Sequence, residues 1–392
     1  MKMYLIKGAD VYAPEHIGTK DILVCAGKIV KIADELPAEE AYGVENVSGE
    51  GKILFPGLID THVHILGGGG EGGATTRTPE IKLTDITRAG VTTVCGLLGT
   101  DGCTRTMTNL IAKTRALNEE GITAYCYTGS YQIPVRTFTG SIMDDITLIE
   151  QCIGCGEIAL ADHRSSQPTQ EQFSNIVAQT RVGGMLGKKA GLVNIHMGSG
   201  KKKLQYEKYV LEETEIPASN MLPTHINRSK ALFADGLDYA TRLGGYIDLT
   251  TSYDPDNLTP DEVKASTGLK LALDAGVPED HITFSSDGQG SMPKFAPDGT
   301  YLGLGVGDVT SLYREMKDAV LKDGVPLYNA LRAVTLNPAL LLKNENKGRI
   351  KEGCDADMVL ADPSSLAIDS VIAKGEFMIK NGDVIKKGTF EI

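Results

Sequence analysis

The stretch Leu58-Ile59-Asp60-Thr61-His62-Val63-His64 decides how the rest of the chain is read. An apolar run leads into His-x-His, and on a β-strand residues i and i+2 point to the same side. His62 and His64 can therefore reach one metal ion from the end of a strand. The chain has only seven histidines, and two others close similar runs: Asn194-Ile195-His196-Met197-Gly198 and Leu222-Pro223-Thr224-His225-Ile226. A further apolar segment, residues 281–286, ends at Asp287. If these runs are parallel barrel strands, four histidines and an aspartate converge on the C-terminal face, where barrel active sites lie. Imidazole and carboxylate together suit Zn2+ or a similar divalent ion. His16 and His281 close no strand, and His163 stands among charged residues, so none of these three is assigned to the cluster.

Outward from this motif the chain alternates. Residues 91–95, 192–195 and 246–249 are apolar β-type runs. Residues 108–120 place Leu110, Ile111, Thr114 and Leu117 on one helical face. Alternation over about 290 residues predicts a parallel α/β domain, the size of a (β/α)8 barrel. Both ends read differently. Residues 3–6, 21–25 and 28–32, and again 357–360, 370–372 and 376–379, are short apolar runs punctuated by glycine and proline. The expected division is a small β-sandwich domain from residues 1–55 plus 347–392, flanking a (β/α)8 TIM-like barrel over 56–346.

Composition excludes several classes. In 392 residues, 41% are hydrophobic and 23% charged, enough for a large core. The formal net charge of −12 argues against nucleic acid or an anionic membrane as partner. The run Lys201-Lys202-Lys203 reads as a solvated face. No signal peptide and no membrane-spanning stretch are expected. Seven scattered cysteines suit reduced thiols in a cytoplasm, and Cys152-x-x-Cys155 reads as ordinary buried cysteine. The glycines at 67–70 lack a following Gly-Lys-Ser/Thr, which argues against a phosphate loop. Gly303-x-Gly305-x-Gly307 lacks the strand–turn–helix setting of dinucleotide binding.

Asp-x-His-x-His, two later single histidines and a late strand-end aspartate resemble the amidohydrolase superfamily. So do residues 335–339 (TLNPA) and 348–357 (GRIKEGCDAD). The narrower resemblance, nearly full-length, is to the isoaspartyl (β-aspartyl) dipeptidase family. It rests on residues 67–79 (GGGGEGGATTRTP), 96–102 (GLLGTDG), 162–165 (DHRS), 223–228 (PTHINR) and 285–291 (SSDGQGS).

That resemblance implies two divalent ions per chain, zinc being the expected metal. His62, His64 and Asp287 would hold one, and His196 and His225 the other. A hydroxide shared by the ions would attack the amide carbonyl of a small dipeptide. It implies Asp287 as general base and Tyr131 as oxyanion stabiliser. It also implies Glu71 as the binder of the substrate amino group, Arg164 and Arg228 as binders of its carboxylates, and Gly69, Thr100 and Ser291 as supporting contacts. A homo-oligomer is implied as well. The chain departs from the family at the metal bridge, where a carboxylated lysine is usual. No lysine lies between Lys113 and Lys188, and the matching position is Glu157. Glutamate offers the same charge and two oxygens, but its reach is shorter by roughly 3–4 Å. Glu157 is expected either to bridge two ions or to support a single one. Hydrolysis of a cyclic amide or an N-acyl amino acid is the alternative activity, and a non-catalytic scaffold the alternative of another class.

Overall fold

In the computed structural model, residues 3–37, 43–253, 258–295 and 300–391 are described. The N-terminal runs form five strands: β1 Met3–Tyr12, β2 His16–Cys25, β3 Lys28–Ala33, β4 Glu45–Ser48 and β5 Ile53–Pro56. Gly57 then separates β5 from the next strand, and the architecture changes there.

Eight strands follow in alternation with helices: β6 Leu58–Val63, β7 Val91–Gly96, β8 Thr123–Thr128, β9 Cys152–Leu160, β10 Leu192–Met197, β11 Met221–Thr224, β12 Ile247–Thr250 and β13 Ile282–Ser285. The first six pair in parallel and in sequence order. β12 and β13 form a second parallel pair. Asn227 bridges to that pair by accepting from the Thr250 amide at 2.8 Å and donating to the Thr250 carbonyl at 2.9 Å. The barrel closes where β13 returns to β6, with the Asp287 amide donating to the His62 carbonyl at 3.1 Å and the His64 amide to the Gly288 carbonyl at 2.8 Å. Closure and site assembly are therefore one event, because it sets Asp287 beside His62 and His64.

Seven of the eight strands are buried along their length, and β8 is buried except at the half-buried Tyr125, as expected of a parallel sheet covered on both faces. The helix Met107–Glu120 buries Leu110, Ile111, Thr114 and Leu117, the face its spacing predicts. Cys152 and Cys155 are buried in β9 within the apolar core. Beyond β13, β14 Ser291–Phe295 and β15 Tyr301–Val306 form an antiparallel hairpin. Gly303 and Gly305 lie on β15, within this antiparallel hairpin.

The C-terminal strands β16 Met358–Ala361, β17 Ile368–Ala373, β18 Glu376–Lys380 and β19 Asp383–Val384 return to the start of the chain. β16 pairs antiparallel with β5, giving one nine-stranded sheet built from both ends of the sequence. Its own core includes Tyr4, Ile6, Val24, Ile29, Leu360 and Ile372. Lys347, buried where this sheet meets the barrel, donates to Asp357 at 2.5 Å and to Thr123 on β8 at 2.7 Å.

Candidate active site

The residues singled out in the sequence meet at the C-terminal end of the barrel. His62 and His64 face Glu157 and Asp287, with His64 Nε2 3.1 Å from Asp287 Oδ1 and 3.4 Å from Glu157 Oε1. His62 Nε2 lies 3.4 Å from Glu157 Oε2 and 3.5 Å from Asp287 Oδ1. On the other side Glu157 Oε2 lies 3.1 Å from His196 Nδ1 and 3.8 Å from His225 Nε2. One carboxylate thus faces all four histidines. Glu157 sits inside β9 and not at its C-terminal end, and from that depth a short side chain reaches the cluster.

Two groups have the spacing to hold a cation: His62, His64 and Asp287, and His62, Glu157 and His225. At their centre His62 Nε2, Glu157 Oε1 and Asp287 Oδ1 are buried without a hydrogen-bond partner. Buried polar atoms without partners are costly, and a divalent ion would satisfy these. His196 stands outside both groups. Its Nε2 is 3.2 Å from Asp162 Oδ2 and 3.1 Å from Arg164 Nη2, and its Nδ1 is 2.8 Å from the Tyr131 hydroxyl.

The rear of the ligand set is fixed by residues that sequence patterns did not single out. His62 Nδ1 meets Asn194 Oδ1 at 2.9 Å, and His225 Nδ1 meets Thr250 Oγ1 at 2.6 Å. Such contacts orient an imidazole and leave its other nitrogen for a metal. His225 and Asp287 have φ of 62° and 54°, left-handed conformations uncommon outside glycine. Strain of this kind tends to persist at functional sites.

The electrostatics favour a cation. Burial raises the Glu157 pKa, but His62 and hydrogen bonds from His196 and His225 outweigh it and hold the group well below the usual carboxylate range. Asp287 behaves alike, through His62 and His64. Burial lowers the His62 pKa, yet Glu157 and Asp287 overcome this and lift it to about 9. For His225 burial wins, and the ring falls to about 3. Tyr131 is pushed well above 10, first by burial and then by the charge on Glu157, and so stays an O–H donor.

A cavity of about 880 Å3 opens above the cluster, lined by Gly69, Glu71, Thr100, Tyr131, Arg164, Arg228 and Ser291 together with His64, Glu157, His196 and Asp287. His62 and His225 lie beneath, almost wholly buried. Glu71 and Arg164 are paired with each other, Oε1 to Nη1 at 3.0 Å, and Thr100 donates to Glu71 at 2.9 Å. Arg164 also grips Asp162, through Nε to Oδ1 and Nη2 to Oδ2, both at 2.9 Å. Asp162 lies 3.7 Å from Arg228 as well, and so sits between two arginines and His196. Gly69 has φ 69°, and a Cβ there would meet the Thr76 carbonyl oxygen at 2.5 Å. At Gly99 a Cβ would come within 2.8 Å of His64 Cε1 and 3.1 Å of Glu157 Oε1, so a side chain at that position would intrude on the cluster.

Comparison with known proteins places the chain among relatives of similar fold. A crystal structure of β-aspartyl dipeptidase from Fervidobacterium islandicum AW-1, in complex with β-Asp-Leu dipeptide, is 47% identical, with a TM-score of 0.91 over 99% of each chain. A second crystal structure of β-aspartyl dipeptidase from that organism is 46% identical, with a TM-score of 0.89 over 99% of this chain and 100% of that one. Among curated relatives, a dihydroorotase from Bacillus thuringiensis (strain Al Hakam) is 36% identical over 98 residues. That match spans about a fifth of the dihydroorotase's length, 22%, and 25% of this chain. The amidohydrolase family pattern matches residues 53–388, from β5 through the barrel and back into the terminal sheet, and the chain belongs to that family.

Proposed function

We propose that this protein hydrolyses the isopeptide bond of β-aspartyl dipeptides with the help of divalent metal ions. The observation that carries this reading is one cavity that holds a cation-ready cluster together with the Glu71 carboxylate and the guanidiniums of Arg164 and Arg228, with Asp261 and Glu262 also on its lining. A β-aspartyl dipeptide presents one ammonium and two carboxylates, which Glu71, Arg164 and Arg228 can match one for one. The full-length likeness to a β-aspartyl dipeptidase supports the same substrate.

The ions would be held by His62, His64 and Asp287 on one side and by Glu157, His225 and His196 on the other, with Glu157 as bridge. When bound they supply Lewis acidity and a water of lowered pKa. Everything else falls to the chain. Glu71 receives the substrate ammonium, exchanging its present partner Arg164; both side chains are about a third exposed or less, at 32% and 26%, so the exchange is sterically open. Arg164 and Arg228 take the carboxylates, since a guanidinium matches a carboxylate in a two-pronged contact. The Tyr131 hydroxyl donates to the carbonyl oxygen as charge develops there. Asp287, held ionised, accepts a proton from the attacking water and delivers it to the leaving nitrogen. Water oxygen bonds to the carbonyl carbon, the C–N bond breaks, and aspartate and a free amino acid leave. Gly69 and Ser291 shape the wall opposite.

Two zinc ions per chain, a homo-oligomer and a cytoplasmic setting complete the proposal. Seven free cysteines support a reducing compartment. Among the described residues no helix is long and apolar enough to cross a membrane. The decisive assay is hydrolysis of β-Asp-Leu against α-Asp-Leu, with and without a chelator. Selective, chelator-sensitive cleavage of the β-linked peptide is expected. Equal rates on both, or activity confined to cyclic amides, would overturn the proposal.

A further inference from the structure

Beside the central cavity lies a second one of about 590 Å3, and the two share His163, Arg164, Ser199 and Arg228 as a common wall. Its far side is formed by Lys201, Lys202 and Lys203 with Tyr206 and Pro168. Of the side chains lining it, Arg164, Arg228 and the three lysines are cationic, and Asp162 alone is a carboxylate. Asp162 is already engaged by Arg164 and His196. In a chain whose net charge is −12, this local excess of positive charge runs against the average.

The lysines are carried by an ordered loop. The Gly198 and Gly200 amides donate to the Leu160 and Ala161 carbonyls at 2.9 and 2.7 Å, tying the loop to the end of β9. The Lys203 amide donates to the Gly200 carbonyl at 3.2 Å, closing a turn. Lys202 Nζ donates to the Tyr206 hydroxyl at 3.0 Å, and that hydroxyl donates to the Pro168 carbonyl at 2.7 Å. Among the described residues none of the three lysines forms an ion pair with a carboxylate, although a solvated lysine face on an acidic protein would readily find one.

Resting on the dipeptidase reading above, we infer that this side cavity is a subsite for a further carboxylate on the leaving part of the substrate. Arg228 and Arg164 would take the carboxylates of a simple dipeptide at the shared wall. An additional anionic group would pass that wall and meet Lys201, Lys202 and Lys203. Two sources carry this chemistry: the acidic side chain of a leaving glutamate, or the displaced C-terminal carboxylate of a β-aspartyl tripeptide. Field lines converge in a concave, one-signed cleft, which raises the local concentration of an anionic substrate.

The test compares kcat/KM for β-Asp-Glu with the isosteric neutral β-Asp-Gln, and for β-Asp-Gly-Gly with β-Asp-Gly. The wild type is set beside the triple variant K201Q/K202Q/K203Q, with β-Asp-Leu as reference. Exposed charge pairs are individually weak, so three lysines together are expected to favour β-Asp-Glu over β-Asp-Gln by about three- to tenfold at low salt. The preference should fade at high ionic strength and vanish in the triple variant, while β-Asp-Leu turnover is unchanged. A gain for β-Asp-Glu alone identifies the side chain as the source, and a gain for the tripeptide alone identifies the C-terminus. Normal β-Asp-Leu hydrolysis with no preference in either pair, or a preference that survives the lysine substitutions, overturns the subsite and leaves the dipeptidase reading intact. Absence of β-Asp-Leu hydrolysis overturns both.

Discussion

Removing the Glu157 carboxylate tests the proposed metal bridge most directly. The side chain is fully buried, and its two oxygens lie 3.1 to 3.8 Å from ring nitrogens of His62, His64, His196 and His225. In Glu157→Ala the group His62, His64 and Asp287 keeps all its members, whereas the group His62, Glu157 and His225 loses its one carboxylate. Stripping a buried charge cluster of one partner costs on the order of 3–5 kcal/mol. Assigned to one ion, that weakens binding by roughly 10²- to 10⁴-fold. Bound metal is therefore expected to fall from the proposed two per chain towards one, with activity falling too. Glu157→Gln keeps the volume and removes only the charge, so it separates loss of an ion from collapse of the pocket; it too should bind fewer than two. A glutamate bridge needs no carbon dioxide to form. Apo-protein should thus regain full activity on adding divalent metal in bicarbonate-free buffer. Elemental analysis of the purified variants, with activity during reconstitution, reads both outcomes. Two ions retained in Glu157→Ala, or recovery that depends on bicarbonate, would refute the assignment.

Three further substitutions probe the surroundings. Glu71→Gln should lower kcat/KM for β-Asp-Leu by about tenfold with metal content normal, the modest end of what a lost counter-charge costs because the site is partly open to solvent; loss of metal instead would mean that Glu71 supports the ions and not the substrate. Asp162→Asn removes the charge that lies between Arg164, Arg228 and His196, and should raise KM about tenfold while kcat changes less than about threefold; unchanged KM would show that the arginines hold their positions without it. Glu207, buried on the helix Gln205–Glu213 with neither oxygen hydrogen-bonded, is pushed up to about 8 by burial first and then by Asp235. Since the folded pKa lies above the ordinary glutamate value of about 4.3, the associated stability is present below that value and is lost as pH rises through 8. Glu207→Gln should therefore raise Tm by about 3–8 °C at pH 8.5 and by little at pH 4; an equal gain at both pH values would rule out titration as the cause.

How much of this was legible in the sequence depends on the range over which each feature is determined. His62 and His64 were legible because strand periodicity puts i and i+2 on one side, and a chain with seven histidines leaves few ways to fill a cluster. The helix Met107–Glu120 and the β-rich ends were legible for the same local reason, although their strands run longer than the apolar runs suggested: β1 extends to Tyr12 and β2 begins at His16. The supports behind the cluster were not. Asn194 meets His62 across 132 residues, and Thr250 meets His225 across 25, and neither belongs to a pattern that periodicity detects. Gly99 was quoted only as part of a segment, since the reason for its missing side chain is a histidine ring and a carboxylate from two other strands.

Asp162 shows the same limit in charge space. In the sequence it is the start of Asp-His-Arg-Ser, one of the segments that carry the family resemblance, and no role is assigned to it there. The sequence presents Glu71, Asp162, Arg164 and Arg228 as separate charges, and the family resemblance gives Glu71 and the arginines to a substrate. In the folded chain Arg164 bonds both Asp162 and Glu71, and Asp162 reaches on to His196. These charges are therefore already compensated by one another. A zwitterionic dipeptide can enter by exchanging like for like, its ammonium replacing a guanidinium on Glu71 and its carboxylate taking up the guanidinium so released. A neutral cyclic amide brings no charge for either half of that exchange and would have to leave the Glu71–Arg164 pair intact or break it without replacement. That asymmetry follows from three contacts, 2.9 to 3.2 Å long, among residues that are scattered along the sequence. It is the strongest physical reason in this site for preferring a dipeptide to a ring.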